Sequence, residues 1–207
     1  MNPARRLAAR VAHAADRIAF PPASGAAEHW QRTVMNAEVE ARIAALGPAG
    51  ISAAEISGDL HTDKPWREYA SLAWPDFDVC APLTEERRFD LVICEQVLEH
   101  VPDPWAAVEN LRELCVPGGN VIVSTPFLIK VHEFPAYGML DYWRFTPRGL
   151  RTLLERSGLE VEHVGAWGNR ECVVGNFSDW AAQRRWLSLR NEPDFPVQVW
   201  AFARRAA

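Results

Sequence analysis

The stretch from Phe89 to Phe127 constrains the fold of this chain more than any other part of the sequence. It opens with a short apolar run, LVIC, as expected of a strand that is buried on both faces. Asp103 and Pro104 are typical of the N-cap and first residue of a helix, and apolar side chains then recur on one helical face. A Pro-Gly-Gly turn and a second apolar run, VIV, follow. The pattern predicts two parallel strands joined by a helix.

The length and composition suit one α/β domain. The chain has 207 residues, 48% of them hydrophobic and nine of them Trp, which is enough for a substantial core. A net charge of −5 argues against nucleic acid as a partner, and the absence of a long apolar run predicts no membrane span. The four cysteines show no C-x-x-C spacing, so we expect reduced thiols, no metal site and a cytoplasmic location.

The same stretch also resembles part of a known family. FDLVICEQVLEHVPDP with LRELCVPGGNVIVSTP is similar to the fourth strand, following helix and fifth strand of class I S-adenosylmethionine-dependent methyltransferases. DYWRFTP and the residues after it resemble the small bacterial "type 11" methyltransferase-domain group. The resemblance covers residues 51–165 and 197–203. It implies an α/β, Rossmann-like, seven-stranded, mostly parallel sheet with helices on both faces and an antiparallel last strand, and S-adenosyl-L-methionine as the cofactor.

The regions outside the resemblance define the domain organisation. We expect residues 1–48 to form an N-terminal helical cap with helices over 3–19 and 27–46, and residues 49–207 to form the methyltransferase-like domain. The arginines near the N-terminus are compatible with a transit peptide or membrane-surface helix, but the alanine-rich face favours a solvated helix. An insertion at about 168–196, with a helix over 178–189, could roof the active site or pair with another subunit in a homodimer.

Predicted strands at 51–56, 69–74 and 77–80 place the residues that the resemblance assigns to the cofactor. The family has a glycine-rich turn after its first strand, of which this chain keeps an acid and one glycine, and an ordinary strand-ending turn is the alternative. Only ten residues follow before the next strand, so the usual helix should be shortened or replaced by a loop. The expected cofactor-binding residues, from these strand ends and the fourth strand, are Glu55, Ser57, Gly58, Trp74, Asp76, Asp78, Glu95 and Gln96.

Some of these positions have plainer interpretations. Asp76 could be a solvated turn residue, and Trp74 could belong to the core rather than stack on adenine. By the resemblance, Glu99 and His100 mainly pack and order the loop after the fourth strand.

The segment after the fifth strand is long, irregular and rich in His, Tyr, Trp and charge, which is typical of a functional loop. His132 is the preferred catalytic base because an imidazole titrates near neutrality, and Asp141 is the second catalytic candidate. Tyr137, Tyr142 and Arg144 are expected to bind the acceptor. A local ion pair between Asp141 and Arg144 is the alternative.

These residues favour transfer of a methyl group to a small-molecule or sugar-containing acceptor, most simply at oxygen. The alternative is a degenerate methyltransferase-fold protein that acts as a non-catalytic binding or scaffold partner, which the depleted glycine turn would favour. A third interpretation is a fold relative that uses the cofactor pocket for another reaction.

Overall fold

The computed structural model describes residues 29–178 and 188–207, which form one six-stranded sheet in the order β2-β1-β3-β4-β6-β5. Strand β6 runs antiparallel to its neighbours β4 and β5, and the other pairs are parallel. The expected α/β, Rossmann-like, mostly parallel sheet with an antiparallel last strand is therefore confirmed. The strands are β1 Ser52–Ile56, β2 Glu68–Leu72, β3 Phe89–Glu95, β4 Cys115–Pro126, β5 Leu159–Trp167 and β6 Gln198–Arg205.

Helices cover both faces of the sheet. On one face, apolar side chains of α2 and α3 pack with sheet residues such as Val92 and Val123. On the other face, α1 packs against Leu91, Ile93 and Ile122. The helices are α1 Thr33–Leu46, α2 Pro104–Leu114, α3 Pro147–Arg156 and α4 Arg170–Ser178. No helix in the described ranges is long and apolar enough to cross a membrane.

The β3-α2-β4 unit forms as the sequence predicts. The Asp103 side chain accepts hydrogen bonds from the backbone N–H groups of Trp105 (3.1 Å) and Ala106 (3.0 Å), which makes it the N-cap of α2. Strand β4 begins directly after the helix at Cys115, so the Pro-Gly-Gly sequence lies within this strand rather than before it.

The prediction of a short third strand at residues 77–80 is wrong, and the sheet of the described residues has six strands instead of the expected seven. This segment lies in turns, because its backbone groups bond locally: the Phe77 N–H donates to the Ala73 carbonyl (2.9 Å), and the Asp78 carboxylate accepts from the Cys80 N–H (2.9 Å). Phe77 and Val79 are buried in the core from this turn. The alternation of these two apolar residues with polar ones resembles that of a strand, but here both side chains hold a loop against the core.

Outside the central sheet, some predictions agree with the structure and others do not. The segment between β1 and β2 contains no helix, as expected, and the helix predicted over 27–46 starts at Thr33 after a 3₁₀ turn at Trp30–Arg32. The helix predicted over 3–19 lies outside the described residues, and so does most of the one predicted over 178–189. Helix α4 occupies the start of the insertion instead, at Arg170–Ser178.

Candidate functional site

A cleft of about 360 Å³ opens where the carboxyl ends of β1, β2 and β3 meet the segment that follows β4. This edge is where ligands bind in sheets of this type. Ser57, Trp74, Asp78 and Gln96 line the cleft at the strand ends, together with His100 and Tyr142 from the loops after β3 and β4.

Glu55 organises the loop after β1 from inside the protein. Its buried carboxylate accepts hydrogen bonds from the N–H groups of Leu60 (3.0 Å) and His61 (3.1 Å) and from the Tyr69 hydroxyl (2.6 Å). Burial and the hydrogen bond to Glu55 raise the pKa of Tyr69, which therefore stays a neutral donor. Glu55 thus holds the turn in place behind the cleft.

Close packing against Glu55 explains why glycine occupies position 58. A Cβ atom added to Gly58 would lie 2.3 Å from Oε1 of Glu55. Ser57 adopts a left-handed conformation (φ 55°), and its N–H donates to the Leu72 carbonyl (2.8 Å). The single retained glycine therefore serves the turn that presents Ser57 to the cleft.

The three candidates after β2 occupy different places. Trp74 is 64% exposed and lines the cleft, so it does not belong to the core. Asp78 also lines the cleft. Asp76 faces an adjoining open cavity of about 510 Å³, which Trp74 and Arg87 also line.

Gln96 lies in a polar network at the end of β3. It has a left-handed backbone (φ 57°), and its side-chain N–H₂ group donates to Gln198 Oε1 (2.9 Å) and Ser124 Oγ (3.1 Å). Its Oε1 accepts from Arg32 of the 3₁₀ turn before α1 (3.4 Å). The network connects the N-terminal helical segment to the strand ends beside the cleft, and Arg32 is a member that sequence reasoning missed.

Glu95 points away from the cleft, into a separate cavity of about 310 Å³ that Arg32 and His61 also line. Its Oε2 lies 2.7 Å from Nε2 of His61. Burial by itself would lower the pKa of His61, but the hydrogen bond and charge of Glu95, with the charges of Glu55 and Glu40, raise it above 6.5.

Asp141 and Arg144 form the ion pair that was the alternative to catalysis. The Asp141 carboxylate is 1% exposed and receives both terminal N–H groups of Arg144. It also accepts from the His132 backbone N–H (2.8 Å) and lies 3.1 Å from His132 Nδ1. Arg144 donates further to the Lys130 carbonyl (3.2 Å). This group of contacts ties the two ends of the loop together.

The same group sets the charge of His132. Burial lowers the pKa of His132, and the charges of His100 and Arg144 lower it further against the opposing effect of Asp141. Burial would raise the pKa of Asp141, but the hydrogen bonds from Arg144 and His132 hold it below its usual range. His132 is therefore neutral at pH 7. Its ring packs against that of His100, with centroids 4.8 Å apart and planes at 80°.

Glu99 and His100 do more than the sequence interpretation assigned to them. The Glu99 carbonyl accepts from the Tyr142 N–H (2.7 Å), and His100 Nδ1 lies 2.6 Å from the Leu140 carbonyl, so both hold the loop after β4. Burial raises the pKa of the Glu99 carboxyl to about 8 despite the opposing charges of Arg32 and Arg144. His100 also lines the cleft. Their position directly after β3 and the family resemblance were the sequence signals for this role.

The two tyrosines that were expected to bind the acceptor both belong to the segment after β4. Tyr142 is half-exposed at the cleft, and Tyr137 ends the 3₁₀ turn Pro135–Tyr137. Neither Arg144 nor His132 is among the cleft-lining residues of the described chain.

Comparison with known proteins places this architecture in a family. A family model described as "Methyltransferase domain" matches residues 13–164. The chain belongs to this methyltransferase-domain family. The class I S-adenosylmethionine-dependent methyltransferase resemblance of the sequence is thereby confirmed. Two curated relatives of this chain are named "Ubiquinone biosynthesis O-methyltransferase". The relative from Psychrobacter arcticus is 28% identical over 123 residues. The relative from Pseudomonas paraeruginosa is 34% identical over 84 residues.

Those matches cover 56% and 39% of this chain, but only 47% and 34% of the relatives. The methyltransferase-domain chain therefore matches less than half the length of either relative.

Solved structures share the fold of this methyltransferase-domain chain. An S-adenosylmethionine-dependent methyltransferase from Mesorhizobium loti aligns with a TM-score of 0.52 and 16% identity, covering 82% of this chain and 98% of its own. The N-methyltransferase NodS from Bradyrhizobium japonicum WM9, solved with S-adenosyl-L-homocysteine, aligns at 0.50 and 13%, covering 88% and 94%. The [4+2]-cyclase SpnF aligns at 0.57 and 12%, covering 91% and 87%.

The residues of the cleft fit S-adenosyl-L-methionine, the cofactor of this family. The exposed Trp74 indole offers an apolar face to a purine ring, and the Asp78 carboxylate offers acceptors to sugar hydroxyl groups. The cofactor supplies a methyl group that its sulfonium has already activated.

Proposed function

We propose that this chain is an S-adenosylmethionine-dependent methyltransferase that methylates a hydroxyl oxygen of a small-molecule or sugar-containing acceptor. The single observation that supports it best is the two-sided cleft. Ser57, Trp74 and Asp78 line it at the strand ends, while His100 and Tyr142 line the side formed by the loops after β3 and β4. The O-methyltransferase names of the two curated relatives support oxygen as the acceptor atom.

The chain has little chemistry to perform beyond placement and proton removal. Methyl transfer needs the acceptor in line with the methyl group at about 3 Å, and a hydroxyl acceptor must also lose its proton. His100 places an imidazole in the cleft on the acceptor side, and its ring packs against that of His132, whose pKa burial lowers so that the neutral form is favoured. Asp141 and Arg144 orient His132 rather than contact the acceptor.

The loop after β4 supplies the acceptor surface. Val131, Phe134, Met139, Leu140 and Tyr142 expose apolar or aromatic surface along this loop. An acceptor with an aromatic or aliphatic body and at least one hydroxyl group matches this surface better than a highly charged one.

The direct test supplies cofactor labelled with ¹³C in its methyl group, together with a panel of phenols and sugar alcohols. The proposal expects release of S-adenosyl-L-homocysteine and a product whose labelled carbon shows the chemical shift of an O-methyl group. An N-methyl product would contradict oxygen as the acceptor atom.

The turn after β1 lacks most of the glycines of the family, which favours a second candidate function, that of a non-catalytic binding protein. A measurement of cofactor binding distinguishes the two candidates, because a non-catalytic binding protein does not require a cofactor in the cleft. Cofactor binding with no methyl transfer to any acceptor would instead favour a different reaction in the same pocket.

A further inference from the structure

Glu99, His100 and His132 bring three potential metal ligands together beside the cleft. One ligand atom from each side chain lies within 4.8 Å of the other two. Glu99 and His100 belong to the short 3₁₀ helix after β3, whereas His132 comes from the loop after β4. Between residues 29 and 178 and from 188 onward, no other group of three His, Cys, Asp or Glu side chains has this spacing.

One ring nitrogen of each imidazole faces an oxygen acceptor, as in metal-binding histidines. His100 Nδ1 lies 2.6 Å from the Leu140 carbonyl oxygen, which can only accept a proton. His132 Nδ1 lies 3.1 Å from the carboxylate of Asp141 and 3.5 Å from Nη2 of Arg144. Histidine ligands commonly turn one ring nitrogen to a carbonyl or carboxylate in this way and bind the ion through the other nitrogen, which is Nε2 here.

Glu99 supplies an oxygen whose burial is otherwise uncompensated. The residue is 1% exposed, and its Oε1 is buried without a hydrogen-bond partner among the described residues. His100 Nε2 lies 3.8 Å from this oxygen, which is too long for a hydrogen bond. A buried carboxyl oxygen without a partner is costly unless a donor or a cation meets it.

The spacing suits an ion between the three groups. Ligands at about 2.1 Å from one ion lie about 3 to 4 Å from each other, and the Glu99–His100 separation already falls in that range. We infer that Glu99, His100 and His132 form a binding site for a divalent transition metal ion of the Zn²⁺ type. Two imidazoles and a carboxylate are a donor set of zinc and related ions with an open coordination position.

The site would change how the acceptor is activated, and this consequence rests on the proposed function. His100 lines the cleft, so an ion that it holds borders the space for the acceptor. A bound cation lowers the pKa of a hydroxyl group that coordinates it. The two imidazoles would then act through the ion instead of removing the proton themselves. No local sequence pattern indicates the site, because His132 lies in a segment remote from the other two ligands.

Metal binding tests the inference without any methyl transfer. The full chain, stripped with a chelator and equilibrated with micromolar Zn²⁺, is expected to retain about one ion per chain by elemental mass spectrometry. Glu99→Gln and His132→Asn should each weaken Zn²⁺ binding about tenfold or more. His163→Asn is the matched control and should bind as the wild type does, because His163 is a half-exposed imidazole paired with Glu38 elsewhere.

Cobalt gives a second readout that needs only the wild-type chain. Co²⁺ should produce visible absorption bands typical of nitrogen and oxygen ligands. A thiolate charge-transfer band would place the ion at a cysteine and overturn the inference, as would the absence of Zn²⁺ binding or wild-type binding by both ligand variants. Methyl transfer that persists in chelator-treated protein would overturn the role of the ion in activating the acceptor and would leave the proposed function standing. Bound Zn²⁺ without transfer to any acceptor would overturn only the proposed function.

Discussion

The Asp141 carboxylate shows how one residue fixes a functional loop. It bonds to both terminal nitrogens of Arg144 and to the backbone N–H of His132, and it lies beside the His132 ring. All of these contacts form at a side chain that is almost fully buried. Such pairs are costly to break because the remaining partner keeps its desolvation penalty.

Replacing Asp141 by Asn should therefore destabilise the protein by about 2–4 kcal/mol, since Arg144 would lose its counter-charge in a partly buried position. Urea unfolding at pH 7 measures the change. The control is Glu155→Gln, which removes an exposed pair with Arg151 and should cost less than about 0.5 kcal/mol. Equal losses in the two variants would contradict a structural role for Asp141.

His61 should make stability depend on pH in a defined direction. Its pKa is raised above the unfolded value of 6.5, so its contribution is complete below that pH and is lost as the pH rises through the folded pKa. His61→Gln should therefore cost more unfolding free energy at about pH 6 than at about pH 9. Comparing the two proteins at each pH cancels the other titrating groups. A larger cost at the higher pH would show that Glu95 does not bind the charged imidazole.

At the scale of single residues, the sequence predicted contacts between residues that are close together along the chain. The spacing of Asp141 and Arg144 suggested their ion pair, which the structure shows. The contact between the rings of His100 and His132 joins two segments that only the folded sheet brings together, and no local pattern encodes it. Arg32 was missed for the same reason, because its partner Gln96 lies on the far side of β1 and β2 in sequence.

The turn after β1 is the element on which the cofactor side of the cleft depends. Gly58→Ala should destabilise the protein by about 1–3 kcal/mol, because the added methyl group meets the Glu55 carboxylate, which three hydrogen bonds hold in place. The same change should weaken binding of S-adenosyl-L-homocysteine by displacing Ser57. Gly50→Ala is the control, since nothing lies within 4 Å of its added Cβ. Similar behaviour of both variants in thermal melting would contradict the close-packing explanation.

The start of helix α2 gives an independent prediction for the central unit. Asp103→Ala should cost about 0.5–2 kcal/mol, because the N–H groups of Trp105 and Ala106 would lose their acceptor. Asp103→Asn retains a capping oxygen and should recover most of the loss. Denaturant midpoints of the three proteins decide the matter, and an Ala variant as stable as the wild type would remove Asp103 as the cap.

Helices and strands with a strong periodic pattern were predictable from the sequence. Segments whose backbone conformation depends on hydrogen-bond partners elsewhere were not. The β3-α2-β4 unit follows from apolar runs, a capping residue and a helical face, all of which lie within one stretch of sequence. The strand expected at residues 77–80 failed because Phe77 and Val79 alternate like a strand while the intervening backbone bonds within its own turn. A strand requires a neighbour with free backbone groups, and the sequence does not reveal that.

At the scale of the whole molecule, the sheet order brings the ends of β1, β2 and β3 to one edge, and the loop after β4 closes over it. The family resemblance predicted this arrangement, whereas the residues alone predicted only the central parallel unit. The cleft therefore has one wall formed by the strand ends and a second wall formed by the loop after β4, which is held by contacts of Glu99 and His100 and by the Asp141–Arg144 pair.

The central claim is that the cleft binds S-adenosyl-L-methionine, although the turn after β1 has lost most of the glycines of the family. Calorimetric titration of the full chain with this cofactor tests the claim most directly. A cleft that holds the cofactor predicts saturable binding to about one site per chain, with a Kd of about 1–100 μM. No measurable binding at millimolar cofactor would contradict it.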